Sequence, residues 1–359
     1  MMIGKTKSLN FISLFFLILF FLIVNSYIFS NFLIINIFLT FSVISLVITK
    51  YGLKIFKKLN LLQRIRDNGP SLHINKKNTP TMGGVFIILP FLLLLLIINI
   101  TYNSVGISLL LFSTLSFFII GFLDDYLSIK NKSNIGLKSN EKFILQSLIS
   151  ILFILFATQS NDISNLINIS SDLSIDTNIL IYPLYFLTLV GMSNAVNLSD
   201  GLDGLASGCS SIVFFGLGTE IFLSSQKELI IYGLISYAMS GLCIGFLKYN
   251  KYPAKIFMGD TGSLTIGATI GSISILTNSF YTLFIFSGIF IVETLSVIIQ
   301  VGFFKITKKL YKNGKRIFLM TPIHHHFELK GMKEKKIVEN FWKINILLVV
   351  LGIVLKTNL

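Results

Sequence analysis

Charge is scarce in this 359-residue sequence: only 13% of its residues are charged, whereas a soluble domain carries about a quarter. Cysteine is scarcer still, with Cys209 and Cys243 both inside apolar runs. That excludes a disulfide framework and any cysteine metal spacing. There are four histidines, and the acids number 16 against 30 Lys and Arg, giving a net charge of +14. What fills the sequence instead is apolar: 53% of residues are hydrophobic, 34 of them Phe. They occur in long runs, and a bilayer span needs about 20 such residues. In lipid a helix satisfies its own backbone groups. The expected fold is therefore all-α: a polytopic integral membrane bundle of about ten transmembrane helices, with residues 1–359 forming one membrane-embedded domain.

Spans are expected near 31–49, 82–100, 105–123, 143–157, 179–197, 204–222, 229–247, 263–280, 281–302 and 341–357. Residues 1–30 are an N-terminal extension. Lys5 and Lys7 precede its apolar run as in a signal peptide, but Asn25-Ser26-Tyr27 is a poor cleavage site, so the run is read as retained. Residues 11–28 fit an extra span, the first half of a long helix, or an interfacial helix. Orientation follows from Lys and Arg. The alternate loops 50–80, 124–142, 198–203, 248–262 and 303–340 hold 25 of the 30. Loop 158–178 on the other side has Asp162, Asp172 and Asp176 and no basic residue. The basic loops are thus assigned to the cytoplasm, and the charge excess is mostly a topology signal. No basic segment is interleaved with aromatics as in a nucleic-acid module. Residues 303–316 carry five Lys and one Arg and read as an amphipathic helix near the headgroups.

Five acids stand at the mouths of spans on that same face: Asp124 and Asp125, Asp200 and Asp203, and Asp260. Interfacial carboxylates suit Mg²⁺, a hard cation with oxygen ligands, and Mg²⁺ suits phosphate chemistry. The plainer reading is helix capping, by Asp200 for the span from 204 and by Asp260 for the span from 263. Asp124 and Asp125 are adjacent, point in different directions, and so hold different roles. Gly201, Gly204, Gly208, Gly259 and Gly262 permit close approach to a ligand or helix packing. The Gly259–Ser263 turn offers free N–H groups to an anion.

Three of the four histidines are consecutive, His324, His325 and His326. Adjacent imidazoles diverge and do not close on one metal ion, so hydrogen bonds to phosphate or acid–base work fit better. Lys76 and Lys77 precede Thr79-Pro80-Thr81-Met82-Gly83-Gly84, where they act as phosphate partners or as anchors on the cytoplasmic side. Glu293 lies inside an apolar run, where an ionisable group defaults to function.

Taken in order, Thr79–Gly84, Asp124-Asp125, Asn197–Gly204, Phe257–Ser263 and Pro322–His326 closely resemble the phospho-N-acetylmuramoyl-pentapeptide transferase family. The resemblance covers roughly residues 50 to 343. It implies ten transmembrane helices with both termini outside, in a bacterial inner membrane with a cytoplasmic active site. It implies Mg²⁺-dependent transfer of phospho-MurNAc-pentapeptide from UDP to undecaprenyl phosphate, giving lipid I and UMP. Asp260 corresponds to the metal ligand, and Asp124 and Asp125 to the catalytic pair, joined by Asp260 and the three histidines. Lys76, Thr81, Asn197, Asp200, Asp203 and Asn250 resemble the nucleotide side, with Lys142 and Glu293 as further substrate contacts. Family members often carry a basic residue where this chain has Ser128; Lys130 is the candidate substitute. The partners implied are the two substrates and the bilayer, with a homodimer allowed and nucleic acid excluded. The rival readings are a GlcNAc-1-phosphate transferase and a secondary transporter, whose ionisable residues would sit at the midplane on broken helices.

Overall fold

The computed structural model describes residues 11–28, 32–59, 61, 79–133, 136–160, 163–168, 174–224 and 226–358. Its helices, in chain order, are α1 (Phe11–Ile28), α2 (Leu33–Lys58), α3 (Val85–Tyr102), α4 (Val105–Lys130), α5 (Ser139–Gln159), α6 (Ile181–Ser199), α7 (Leu205–Leu223), α8 (Ile230–Asn250), α9 (Asp260–Leu276), α10 (Phe280–Phe286), α11 (Gly288–Tyr311), α12 (Ile323–Leu329) and α13 (Glu334–Asn358). Among the described residues, α2 to α8, α11 and α13 are long and apolar enough to cross a bilayer. The protein is a multi-pass membrane protein with the all-α architecture that its apolar runs require. A two-stranded antiparallel hairpin, β1 (Leu166–Asn168) with β2 (Ser174–Asp176), closes the end remote from the acids.

The helices divide by what surrounds them. α3, α5 and α11 turn Leu93, Ile97, Ile144, Leu148, Leu295 and Ile298 outward, as a lipid-facing helix does. α7 and α9 are buried along almost their whole length. α9 packs between α4 and α6, and α7 against α8 and α13. Lipid tails are as apolar as Leu, so helices in a membrane associate through close packing and interhelical hydrogen bonds. Ser113 on α4 meets Ser272 on α9 at 2.8 Å, and Ser240 Oγ on α8 donates to the Ser211 carbonyl on α7 at 2.8 Å. On α8, Gly241 and Gly245 lie against the carbonyls of Phe38 and Ser42 on α2, where any Cβ would collide.

Some expectations change. The span expected at 263–280 is α9, which begins earlier and is a 17-residue interior helix. The span expected at 281–302 is broken at Ser287 into the short α10 and a long α11. Residues 303–311 form no separate amphipathic helix; they continue α11, which stops where Lys312 adopts a left-handed conformation. Phe11 at the start of α1 lies beneath Lys248 and Lys251, at the end of the bundle that carries the acids. The start of α1 therefore lies at the site end, and the two termini expected on the opposite side fall outside the described residues. This helix packs on α2, α7 and α8, so residues 11–28 are an added helix of the bundle and not half of a longer one.

Candidate active site

The site is built on the first turn of α9. A helix start leaves four N–H groups without intrahelical partners. Here the cap comes from another helix: Asp125 on α4 accepts the N–H of Asp260 at 3.1 Å, and the N–H and Oγ1–H of Thr261 at 2.9 and 2.6 Å. The N–H groups of Gly262 and Ser263 close on the Gly259 carbonyl, and that of Gly259 faces Asp200. This turn consequently has no free donors for an anion, contrary to the sequence-based expectation. Because Asp125 caps α9, Asp260 is released from capping and its carboxylate faces the site.

Asp124, the other half of the adjacent pair, also faces the site. Its Oδ1 accepts the Leu137 N–H at 2.8 Å and lies 3.0 Å from Lys142 Nζ. The same ammonium reaches Asp260 Oδ2 at 2.5 Å. Asn197 Nδ2 on α6 donates to Asp260 Oδ1 at 2.8 Å and to Ser263 Oγ at 2.9 Å. One carboxylate oxygen from each of Asp124, Asp125 and Asp260 falls within 4.8 Å of the others. Such a cluster of hard oxygen ligands can hold a divalent cation, and the Lys142 ammonium between two of the carboxylates shows that the position attracts positive charge. Asp200 adds a fourth carboxylate nearby. Burial raises its pKa well above the usual range, and the charges of Asp260 and Asp125 raise it further against the Gly259 hydrogen bond.

The Thr79–Gly84 segment serves this turn through its backbone. Phe257 N–H donates to the Pro80 carbonyl at 2.8 Å, Gly83 N–H to Phe257 at 2.8 Å, and Gly84 N–H to Met258 at 2.8 Å. The strand-like clamp bends through Met82, held at φ 64°, a sparsely populated conformation for a non-glycine residue. A Cβ on Gly84 would strike the Gly262 backbone, and one on Gly121 the Asp260 carbonyl. These glycines let protein approach protein, which fixes where α9 begins.

The histidine helix α12 is held by side chains. Three buried polar residues of α11 stand seven apart, Glu293, Gln300 and Thr307. Thr307 Oγ1 accepts the Lys315 N–H at 2.9 Å. Gln300 Oε1 accepts the N–H groups of Ile317 and Phe318, and its Nε2 donates to the Phe318 carbonyl. Glu293 Oε2 lies 3.0 Å from His324 Nδ1, both side chains fully buried. The segment after α11 is thus fastened back along that helix, and His324 Nε2 is brought against Gly201. The three imidazoles diverge as expected: His325 pairs with Glu328 at 2.6 Å, and His326 Nδ1 accepts the Leu319 N–H at 3.1 Å. Glu293 is not a charge stranded in lipid; it orients a histidine.

The structure therefore brings together Asp124, Asp125, Asp200, Asp260, Asn197 and Lys142, with His324 reaching the adjoining turn. Two expected substrate contacts also brace loops. Asp203 accepts the Ala254 N–H at 2.9 Å, and Asn250 is bonded to Ser207 and the Ile256 carbonyl. Thr81 is buried in the clamp. Lys130 is exposed on the last turn of α4, and Ser128 Oγ closes the following turn on the Ser133 carbonyl at 2.7 Å. The cation of the cluster is Lys142. Lys76 lies outside the described residues. Sequence reasoning missed Thr261, Gln300 and Thr307; the seven-residue spacing of polar groups in α11 was the available signal for the last two.

Residues 107–278 match the family described as Glycosyl transferase family 4, and residues 76–88 match the phospho-N-acetylmuramoyl-pentapeptide-transferase signature 1. A phospho-N-acetylmuramoyl-pentapeptide-transferase of Prochlorococcus marinus subsp. pastoris is 78% identical over 359 residues, 100% of each chain. Proteins of the same name are 66% identical over 358 residues in Prochlorococcus marinus strain MIT 9301, covering 100% of each chain, and 39% identical over 318 residues in a Synechococcus species, covering 88% of this chain and 86% of that one.

Proposed function

The chain belongs to the phospho-N-acetylmuramoyl-pentapeptide-transferase family, and from that premise we propose how its residues divide the work of transfer. The reaction moves phospho-MurNAc-pentapeptide from its UDP carrier to undecaprenyl phosphate, giving lipid I and UMP, the first membrane step of peptidoglycan synthesis.

The observation that carries the assignment is the cap of α9 by Asp125, which frees Asp260 to face Asp124 across Lys142. Asp260 and Asp124 would hold Mg²⁺, which when bound would neutralise charge on the pyrophosphate and the departing UMP. Asp125 is a positioning residue. Asp124 also receives the remaining proton of the lipid phosphate, whose oxygen bonds to the β-phosphorus as the bond from that phosphorus to the bridging oxygen breaks. UMP leaves with that oxygen. Lys142 offsets charge on the reacting phosphates. His324, fixed through Nδ1 by Glu293, orients the Asp200–Gly204 turn. His325, paired with Glu328, and His326, which accepts the Leu319 N–H, lie beside it on α12 as candidate contacts for the sugar phosphate.

Direct attack is favoured over a phospho-aspartate because each of the three carboxylates is already held by at least two partners, which blunts its nucleophilicity. Trapping a phospho-sugar on Asp124 or Asp260 would overturn that order. The polyprenyl tail is assigned to an apolar groove of about 230 Å³ between α6, α10 and α11. Its wall reaches Ala195, two residues before Asn197. The site faces the cytoplasm of a bacterial inner membrane, by the distribution of Lys and Arg.

The test is UMP release from UDP-MurNAc-pentapeptide by the purified protein, dependent on undecaprenyl phosphate and Mg²⁺. Asp260→Ala should reduce the rate to background, since a lost metal contact removes several kcal/mol of transition-state stabilisation, on the order of a thousandfold or more. Full activity in that variant would refute the metal assignment, and turnover of UDP-GlcNAc instead would move the protein to the sister reaction.

A further inference from the structure

Not every lysine at the site end serves the carboxylates. Lys248 on the last turn of α8, Lys251 and Lys255 in the loop that follows, and Lys335 on the first turn of α13 gather around the start of α1. Lys251 Nζ lies 4.6 Å, and Lys248 Nζ 5.6 Å, from the centre of the Phe11 ring. Burial lowers the Lys251 pKa, and the charges of Lys248, Lys335 and Lys255 lower it further, as crowding among like charges requires. Lys335 has a long contact with Glu339 at 3.9 Å. Among the described residues no carboxylate lies within ion-pair distance of Lys248, Lys251 or Lys255.

Two of these elements, α1 and α13, diverge deeper in the bilayer beside α7. α1, α7 and α13 leave an apolar cavity of about 160 Å³, lined by Leu17, Phe21, Phe215, Val349 and Ile353 among others. A cavity of roughly this size with an aliphatic and aromatic lining stays dry and accepts apolar guests in other proteins. Leu17 is six residues beyond Phe11 on one helix, a rise of about 9 Å. That offset approximates the thickness of the interfacial layer, roughly 5–8 Å on each side of the hydrocarbon. A cationic cluster therefore sits about one headgroup above an apolar cavity, on three elements that do not line the carrier's groove between α6, α10 and α11.

We propose that the protein binds one anionic phospholipid of the bilayer here, with its phosphate on Lys248 and Lys251 and an acyl chain in the cavity between α1, α7 and α13. The lipid fastens α1 to the bundle by supplying the contacts that α7 and α13 lack on this side. The carrier-lipid assignment made above is independent of it.

Native mass spectrometry of the full chain, stripped in detergent and titrated separately with phosphatidylglycerol, phosphatidylcholine and undecaprenyl phosphate, tests the site together with thermal melting. The expected result is one phosphatidylglycerol retained per chain, a raised melting temperature, and neither effect from phosphatidylcholine. Each lysine near an anionic lipid contributes about fivefold in affinity, so Lys248→Ala with Lys251→Ala should weaken retention roughly twenty-five-fold. Val354→Trp, at a half-exposed position of the lining, should block retention with the lysines intact and so separates lipid loss from a folding defect. Equal retention of both phospholipids, full retention in both variants, displacement by one equivalent of undecaprenyl phosphate, or a second copy of the chain in place of lipid would each overturn the proposal.

Discussion

The α9 turn and the histidine helix α12 meet at the same end of the bundle, and they are held in opposite ways. The turn is fixed mostly by backbone: residues 80–84 clamp the segment before it through main-chain bonds and glycines set the spacing, with the Asp125 carboxylate as its side-chain cap. α12 is fixed by side chains, through Glu293, Gln300 and Thr307 on α11. Backbone bonds with no side-chain freedom resist displacement, whereas each rung of a side-chain ladder can be lost alone. The carboxylates that gather charge thus stand on the rigid element, and the imidazoles on the adjustable one.

The comparison breaks most sharply at the adjacent pair. Asp124→Asn should lower activity by about three orders of magnitude with little change in melting. Asp125→Asn sets an amide against donors and should cost about 2–4 kcal/mol of stability, read as a fall in melting temperature; equal melting of the two variants would erase the division of roles. On the ladder, Glu293→Gln keeps the shape but replaces a charge-assisted bond to His324, and kcat/KM should fall about tenfold to thirtyfold, a loss of about 1–2 kcal/mol. Melting should move little.

Asp200 tests the electrostatics of the turn. Its pKa is raised in the folded chain, so the folded state resists ionisation and the metal-free protein loses stability as pH rises above the ordinary carboxylate value. Asp200→Asn should therefore raise the melting temperature by a few degrees at about pH 8 in EDTA, with no gain at about pH 2.5, where the carboxyl is protonated in both states. The smallest effect is expected from Gln300→Ala: at most about fivefold in activity, with faster amide exchange at Ile317 and Phe318 marking the loosened rung.

The carboxylate cluster was legible in the sequence because ionised groups are so rare in an apolar chain that Asp124, Asp125, Asp200, Asp203 and Asp260 stand out at the mouths of spans. The helical bundle was legible for the same reason. What periodicity could not reveal was pairing across long separations. Asp125 caps a helix 135 residues away, and the apolar run at 281–302 carries no sign of the break at Ser287. Nor does sequence distinguish a carboxylate that faces substrate from one that braces a loop, as Asp203 does through Ala254; that depends on which backbone donors the fold brings within reach.

The direction of α1 has a consequence for how the bundle is threaded. Phe11 stands at the site end and α13 runs away from it, so the first and last described helices point the same way. The described helices thus enter the bundle at the carboxylate end and leave it beside the β1–β2 hairpin, where Lys356 adjoins Asn278 and Asn278 bonds to the Leu166 carbonyl.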